Sequence, residues 1–222
     1  MNGKGLPPAV EAAIAATGLC ASWPVMAVSA AAIAATSPGP VLFRQERIGR
    51  GGRRFELCKF RTMNAGSPGL EVTAKDDRRV TRVGKALRMS KLDELPSLWN
   101  VLKGDLSLIG MRPEVPRYVD PSDPLWAPVL EVKPGLVDPL AIHVRDEEQL
   151  LADVEGDREA FYRDTIRPFK LLWHAEYQAR RTWLSDLRAL AETAVVVIAP
   201  GLARPIGVEE MAARVARYRA EK

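Results

Sequence analysis

The 222-residue sequence predicts an α+β fold that is mostly helical. It divides into an N-terminal membrane-inserted helical segment (1–40), a compact body (41–200) and a tail with a short amphipathic helix (201–222). Three observations predict this. No charged residue falls between Ala12 and Phe43. Directly after that run, two strand-like stretches flank Gly49-Arg50-Gly51-Gly52, the mark of a small β-hairpin. From Arg78 onward, apolar residues recur mainly at helical spacing.

At ~1.5 Å per residue the uncharged run can extend about 48 Å as a helix, more than a ~30 Å hydrocarbon core requires. Pro24 stands near its middle, behind Ser22 and Trp23. A proline inside a helix removes one backbone hydrogen bond and bends the helix. Two readings follow. The segment crosses the membrane once with a kink, or it breaks at Ser22 and Pro24 and returns to the same face as a re-entrant hairpin. A secretory signal fits less well, because the run is too long and a basic block follows it directly. An Ala-rich hairpin buried in a soluble core is a fourth reading. Positive charge beside an apolar segment favours the cytoplasmic side, which places the rest of the chain there.

Residues 41–48 and 53–60 are expected as the two strands, and 63–73, with Gly66, Pro68 and Gly69, as a loop. Residues 78–89 carry Val80, Val83, Ala86 and Leu87 at helical spacing. A second helix is expected from Ser90 to Gly104, burying Leu92, Leu95, Leu98, Trp99 and Leu102. The stretch 105–116 reads as irregular, and five prolines from Pro121 to Pro139 make regular structure scarce there. Helices follow over 160–181 and 183–199, stopped by Pro200 and Gly201. Tryptophans and arginines on these late helices (Trp173, Trp183, Arg180, Arg181) suit a membrane–water interface as well as a core. The tail helix, 208–218, aligns Val208, Met211, Val215 and Tyr218 on one face.

The net charge is +4 and the basic residues cluster. Arg44, Arg47, Arg50, Arg53, Arg54, Lys59 and Arg61 face only Glu46 and Glu56 within 41–61, which suits an anionic partner. Aromatic residues make up 6% and do not interleave with this block, which argues against nucleic acid. The two cysteines, Cys20 and Cys58, define neither a disulfide framework nor a zinc site.

The most informative stretch runs from Ser90 to Glu114. It sets Asp93 and Glu94 into an apolar run and follows them with Arg112 between Met111 and Pro113. Acids beside strong bases suit phosphate chemistry: one carboxylate attacks or holds a metal, and cations neutralise phosphate oxygens. Lys59 and Arg61 are expected on one face of a strand, and Arg88 lies nearby in sequence. The plainer reading of Ser90 and Asp93 is a helix capping box. At a helix start the free N–H groups would also keep Asp93 ionised.

Lys59-Phe-Arg-Thr-Met63, Thr81-Arg-Val-Gly-Lys85, Leu92-Asp-Glu-Leu-Pro-Ser-Leu-Trp-Asn-Val-Leu-Lys-Gly-Asp105 and Gly110-Met-Arg-Pro113 together resemble the bacterial sugar transferase family, the monotopic phosphoglycosyl transferases. The resemblance runs from about Ser22 to Leu187 and implies a specific enzyme. It would transfer a sugar 1-phosphate from a UDP-sugar to a polyprenol phosphate at the cytoplasmic face of the inner membrane, releasing UMP. Asp93 would be the nucleophile that forms a covalent phosphosugar, and Glu94 would help bind Mg2+. Lys59, Arg88 and Arg112 would hold phosphates, with Arg61 beside them. The family's N-terminal segment is re-entrant, so Ser22 and Pro24 would mark its break. Membrane lipids and downstream glycosyltransferases are the implied partners. A non-catalytic module binding nucleotide sugar or anionic lipid on the same fold is the alternative.

Four departures from the family pattern stand out. One residue, Trp23, separates Ser22 from Pro24. Met111 replaces a usual Pro. After Lys133-Pro-Gly135 the chain reads Leu136-Val-Asp-Pro-Leu-Ala-Ile-His143 in place of a Thr-Gly-Trp-Ala-Gln-Val stretch, and His174 stands where an Asp is usual.

Overall fold

The structure is a computed structural model that describes residues 5–64, 77–144, 150–151, 154, 156–199 and 206–220. Most of the loop expected over 63–73 lies outside these residues.

Helix α1 spans Pro8–Thr36, with proline in its first turn, where a missing N–H costs nothing. It runs through Pro24 as one element. Any turning back there is therefore a proline bend and not a break between two arms. Ser22 Oγ donates to Met26 Sδ at 3.5 Å. The helix lies along the segment 82–103, and Gly18 gives Leu98 room to approach. Its outer face is exposed at Val10, Ile14, Trp23, Val25 and Val28.

Strands β1 (Leu42–Ile48) and β2 (Arg54–Phe60) form the expected antiparallel hairpin, with Phe43 opposite Lys59. Gly51 and Gly52 turn it with positive φ, which an ordinary side chain would resist. Helix α2 (Arg82–Met89) starts later than the apolar spacing suggests, because Thr81 Oγ1 accepts the Gly84 N–H and caps it. A Cβ on Gly84 would lie 2.0 Å from the Thr62 carbonyl oxygen, so only glycine allows this approach.

The helix expected from Ser90 to Gly104 is built differently. Ser90 caps the C-terminus of α2, and its hydroxyl bonds back to the carbonyls of Ala86 and Leu87. No capping box forms with Asp93. Lys91 adopts φ 59°, a left-handed geometry rare outside glycine, and reverses the chain. A 3-10 turn, Leu92–Ser97, follows and leads into α3 (Leu98–Lys103), which Gly104 ends at φ 80°. The tighter 3-10 turn shifts the helical phase. Ser97, Asn100 and Val101 are therefore buried, while Trp99 is exposed.

The stretch read as irregular contains strand β3 (Ser107–Ile109), which pairs in parallel with β4 (Gly135–Val137). Three-residue strands are too short to show alternation. A short helix α4 (Ala127–Leu130) lies between them. Gly110 and Gly135 pass so closely that a Cβ on Gly135 would sit 2.1 Å from the Gly110 nitrogen. The late helices follow the sequence: α5 (Arg158–Phe161), a π-helical stretch at Tyr162–Ile166, α6 (Arg167–Arg180), and α7 (Trp183–Ile198) with a Thr182–Ser185 capping box. In the tail helix α8 (Val208–Ala220), Met211 and Val215 are buried against Phe169 and Leu140. One core cluster joins α1, β2, α3, β3 and α7 through Ala15, Leu57, Val101, Leu106, Ile109 and Ala189.

Candidate active site

Asn100 and Ser97, polar residues inside an apolar run, turn inward and brace β2. Asn100 Oδ1 accepts the Cys58 N–H (3.1 Å), its Nδ2 donates to the Glu56 carbonyl (2.7 Å), and Ser97 Oγ donates to the Cys58 carbonyl (2.7 Å). The strand is thereby pinned to the 3-10 turn that carries Asp93 and Glu94. Lys59 Nζ reaches Glu94 Oε1 at 3.3 Å.

Arg112 closes the site from the other side. Its Nη2 donates to Glu94 Oε1 (2.6 Å) and its Nη1 to Glu94 Oε2 (3.3 Å), a forked grip. The residues around Arg112 are held one by one. Gly110 N donates to the Val137 carbonyl (3.0 Å), and the Met111 carbonyl accepts Gly135 N (2.7 Å). Arg112 N donates to Asp138 Oδ2 (3.1 Å), and the Pro113 carbonyl accepts Arg47 Nη1 (2.8 Å). Glu114 is buried and accepts from Tyr162 Oη and from Lys170 Nζ (3.4 Å). Met111 itself is buried with Trp126 and Leu171. These bonds supply the rigidity that a proline at position 111 would have given.

Asp93 is buried, and its Oδ1 has no hydrogen-bond partner among the described residues. Burial and the Glu94 charge push its pKa up, against the pull of Lys59, Lys91 and Arg112. This departs from the expectation that free N–H groups would favour its ionised form, because the 3-10 start buries the carboxyl instead of presenting it to a helix end. Glu94 behaves oppositely. Burial disfavours its charge, but Arg112 and Lys59 outweigh that and hold it well below the usual carboxylate range. Burial and the Arg112 charge lower Lys59 to about 8, with Glu94 and Asp93 resisting. The neighbouring carboxyls are thus driven apart: one held charged and clamped, the other raised and left without a partner at Oδ1.

Of the expected residues, Lys59, Asp93, Glu94 and Arg112 are brought together. Arg61 is not. Strand β2 ends at Phe60, so the alternation that would align Arg61 with Lys59 stops one residue short. Arg61 is buried and donates to the Pro38 carbonyl and, at 2.8 Å, to the Ser37 carbonyl, beyond the end of α1. Arg88 Nε donates to Thr62 Oγ1 (2.9 Å), and its charge acts on Asp77. Lys91, whose charge acts on both carboxyls, was not singled out by the sequence reading. His174 and the stretch holding Asp138 stood out in the sequence, but their contact did not, because it joins residues far apart in the chain.

No group of three or more His, Cys, Asp or Glu side chains suited to a metal exists among the described residues. A single carboxylate still fits Mg2+, which commonly completes its shell with water and substrate phosphates.

The family model for bacterial sugar transferases matches residues 5–200. Over 201 residues the chain is 36% identical to a UDP-glucose:undecaprenyl-phosphate glucose-1-phosphate transferase of Xanthomonas campestris pv. campestris, covering 88% of this chain and 38% of that protein. A protein of the same description from Caulobacter vibrioides is 45% identical over 132 residues, 57% of this chain and 49% of its own length. A UDP-N-acetylgalactosamine-undecaprenyl-phosphate N-acetylgalactosaminephosphotransferase of Aeromonas hydrophila is 47% identical over 118 residues, 51% of this chain and 28% of the relative. The chain thus spans less than half the length of each of these relatives. The match over residues 5–200 takes in the clamped Glu94, the buried Asp93 and the braced Arg112, and this chain belongs to the bacterial sugar transferase family.

Proposed function

We propose that the chain transfers a sugar 1-phosphate from a UDP-sugar to a polyprenol phosphate at the cytoplasmic face of the membrane, releasing UMP, through a covalent intermediate on Asp93. The observation that carries this reading is the unbonded Oδ1 of buried Asp93 beside a carboxylate already gripped by two cations. An Asp93 oxygen attacks the phosphorus that bears the sugar. The phosphoanhydride bond breaks and UMP leaves with the bond's electron pair. An oxygen of the polyprenol phosphate then attacks the same phosphorus, and the Asp93 carboxylate is released. Splitting one displacement into two gives ping-pong kinetics.

Arg112 and Lys59 are placed to take up phosphate charge as it develops. Glu94 is the residue that would hold Mg2+, shared with donor phosphates, and such an ion neutralises phosphoryl oxygens. Both Glu94 oxygens already face cations, so metal binding there goes with a turn of Arg112 or Lys59 toward the phosphates. EDTA should stop turnover and Mg2+ restore it; activity indifferent to chelation would remove this role from Glu94.

Membrane attachment rests on α1, whose most apolar window has a mean hydropathy of 1.6. Both of its ends bond to the same polar body. Buried Glu11, in the first turn, accepts from Ser107 Oγ and from Leu108 N (3.0 Å). The Ser37 and Pro38 carbonyls, just past the last turn, accept from Arg61. A helix crossing a bilayer would put its ends in different aqueous phases. This arrangement instead supports a helix that dips in from one face, bent at Pro24. Exposed Phe43, Met89, Trp99, Trp183, Leu184 and Leu187 extend the apolar surface.

The relatives' names specify glucose in two cases and N-acetylgalactosamine in another, so the reaction class is better supported than the sugar. The test is UMP release from a panel of UDP-sugars by detergent-solubilised protein, with and without polyprenol phosphate. Release that depends on the lipid supports the reading. Folded protein that is silent across the panel would favour a binding module.

A further inference from the structure

Two of the departures from the family pattern touch each other. The altered stretch after Gly135 brings Asp138, and α6 brings His174, whose Nε2 lies 3.0 Å from Asp138 Oδ1. Both side chains are buried, His174 completely. The other carboxylate oxygen, Asp138 Oδ2, accepts the backbone N–H of Arg112 at 3.1 Å. The parallel pairing of β3 with β4 makes this contact, because each partner lies just past the end of its strand.

We propose that Asp138 and His174 form a positioning pair for Arg112: His174 fixes the carboxylate, the carboxylate fixes the Arg112 amide, and the guanidinium is thereby aimed at Glu94. The Asp138 carboxylate is well placed for the task. Its Oδ1 also accepts Leu140 N (2.8 Å), which anchors it to its own turn. Burial opposes its charge, but His174, Lys170 and the Arg112 amide overcome that and hold its pKa at about 2. On its far side His174 lines a cavity of about 20 Å3 beside Trp126 and Gln178; Trp126 Nε1 finds no partner among the described residues, and neither His174 nitrogen makes an aligned hydrogen bond, so Nε2 meets Asp138 Oδ1 as a close polar contact at 3.0 Å. The space suits one water. Among the described residues, the Asp138 carboxylate is the charged group against the His174 ring.

The pair acts through Arg112 and touches no reacting atom. The mechanical part of the proposal is independent of the transferase reading; its catalytic part rests on that reading. Two measurements on full-length protein in detergent keep them distinguishable. Backbone amide exchange over 110–116, read by mass spectrometry, should rise about tenfold at Arg112 in His174→Leu and stay near the parent rate in His174→Gln, while protection elsewhere is unchanged. In steady-state assays with the donor that the panel identifies, His174→Leu should lower kcat/KM about tenfold, and His174→Gln should recover most of it. Parent-like exchange at Arg112 in His174→Leu would overturn the pair. So would equal loss in both variants with protection falling throughout, which marks a packing residue. Raised exchange at Arg112 in an enzyme silent for every UDP-sugar would keep the pair and count against the transferase reading.

Discussion

Two arginine–carboxylate clusters among the described residues, one buried and one partly buried, are built to opposite specifications. At the first, Arg181 and Asp186 leave nothing over. Asp186 accepts from Arg181 Nε (2.9 Å) and Nη2 (2.8 Å), from Tyr177 Oη (2.9 Å) and from Leu6 N (2.9 Å), while Arg181 Nη2 also donates to the Ile109 carbonyl (2.9 Å). Asp186 has no exposure at all. At the second, Glu94 is gripped by both Arg112 and Lys59, and beside it Asp93 keeps an unsatisfied oxygen. The first cluster balances its charges and bonds; the second has two cations on one carboxylate and an acceptor without a donor. A buried ion pair that closes all its bonds ties elements together, here residue 6, β3 and α7. One that leaves a surplus is ready for a charged substrate.

The sharpest way to break this contrast is Asp93→Asn. Turnover and covalent labelling should fall by on the order of a thousandfold or more, as for loss of a nucleophile. The melting temperature should hold or rise, because an unsatisfied buried carboxyl is removed. An active Asn variant would sink the nucleophile assignment. Next is Arg112→Lys, expected to cost on the order of 100-fold in kcat/KM although the charge is kept, because an ammonium cannot reproduce the forked grip. Near-parental activity would show that charge alone suffices. Asp186→Ala should reverse the pattern, destabilising the fold by about 3–5 kcal/mol through an uncompensated Arg181. Activity per folded molecule below the melt should change little. Strong loss there without a lowered melting temperature would erase the distinction between the clusters.

The smallest expected effect concerns pH. Lys59 is lowered to about 8 in the folded chain, against a usual 10.5. Above pH 8 the folded protein therefore sheds a proton that the unfolded chain keeps. Through this group, stability should rise with pH between these values, while the cation offered to phosphate disappears. Donor KM should rise on the order of tenfold by pH 9, and Lys59→Gln should flatten that limb. A flat parental profile would detach Lys59 from donor binding.

Local signals made much of this legible in the sequence. Glycines and flanking apolar residues located the hairpin within a residue, and the late helices followed their periodicity. The pattern from Leu92 to Asp105 and at Arg112 located the site. What escaped was non-local. The β3–β4 pairing is only three residues long and depends on Gly110 and Gly135 meeting across 25 positions of chain. Ser90 looked like the start of a helix because Ser-x-x-Asp has the grammar of a cap, yet left-handed Lys91 ends one element there and begins another. Arg61 was assigned to the site by strand alternation that stops at Phe60. Asp138 and His174 became related only once α6 packed over the end of β4.

Arg61 has a consequence of its own. It holds the carbonyls where the apolar helix ends, and it stands two positions after Lys59, just past the end of β2. Phe60 between them packs on Ile33 of that helix. In the proposed membrane setting this fixes the altitude of the phosphate-binding cations above the acyl chains. On that reading, the proposed acceptor lipid would not have to be lifted to Asp93, since its headgroup would already float at the level where the chain has parked its charges.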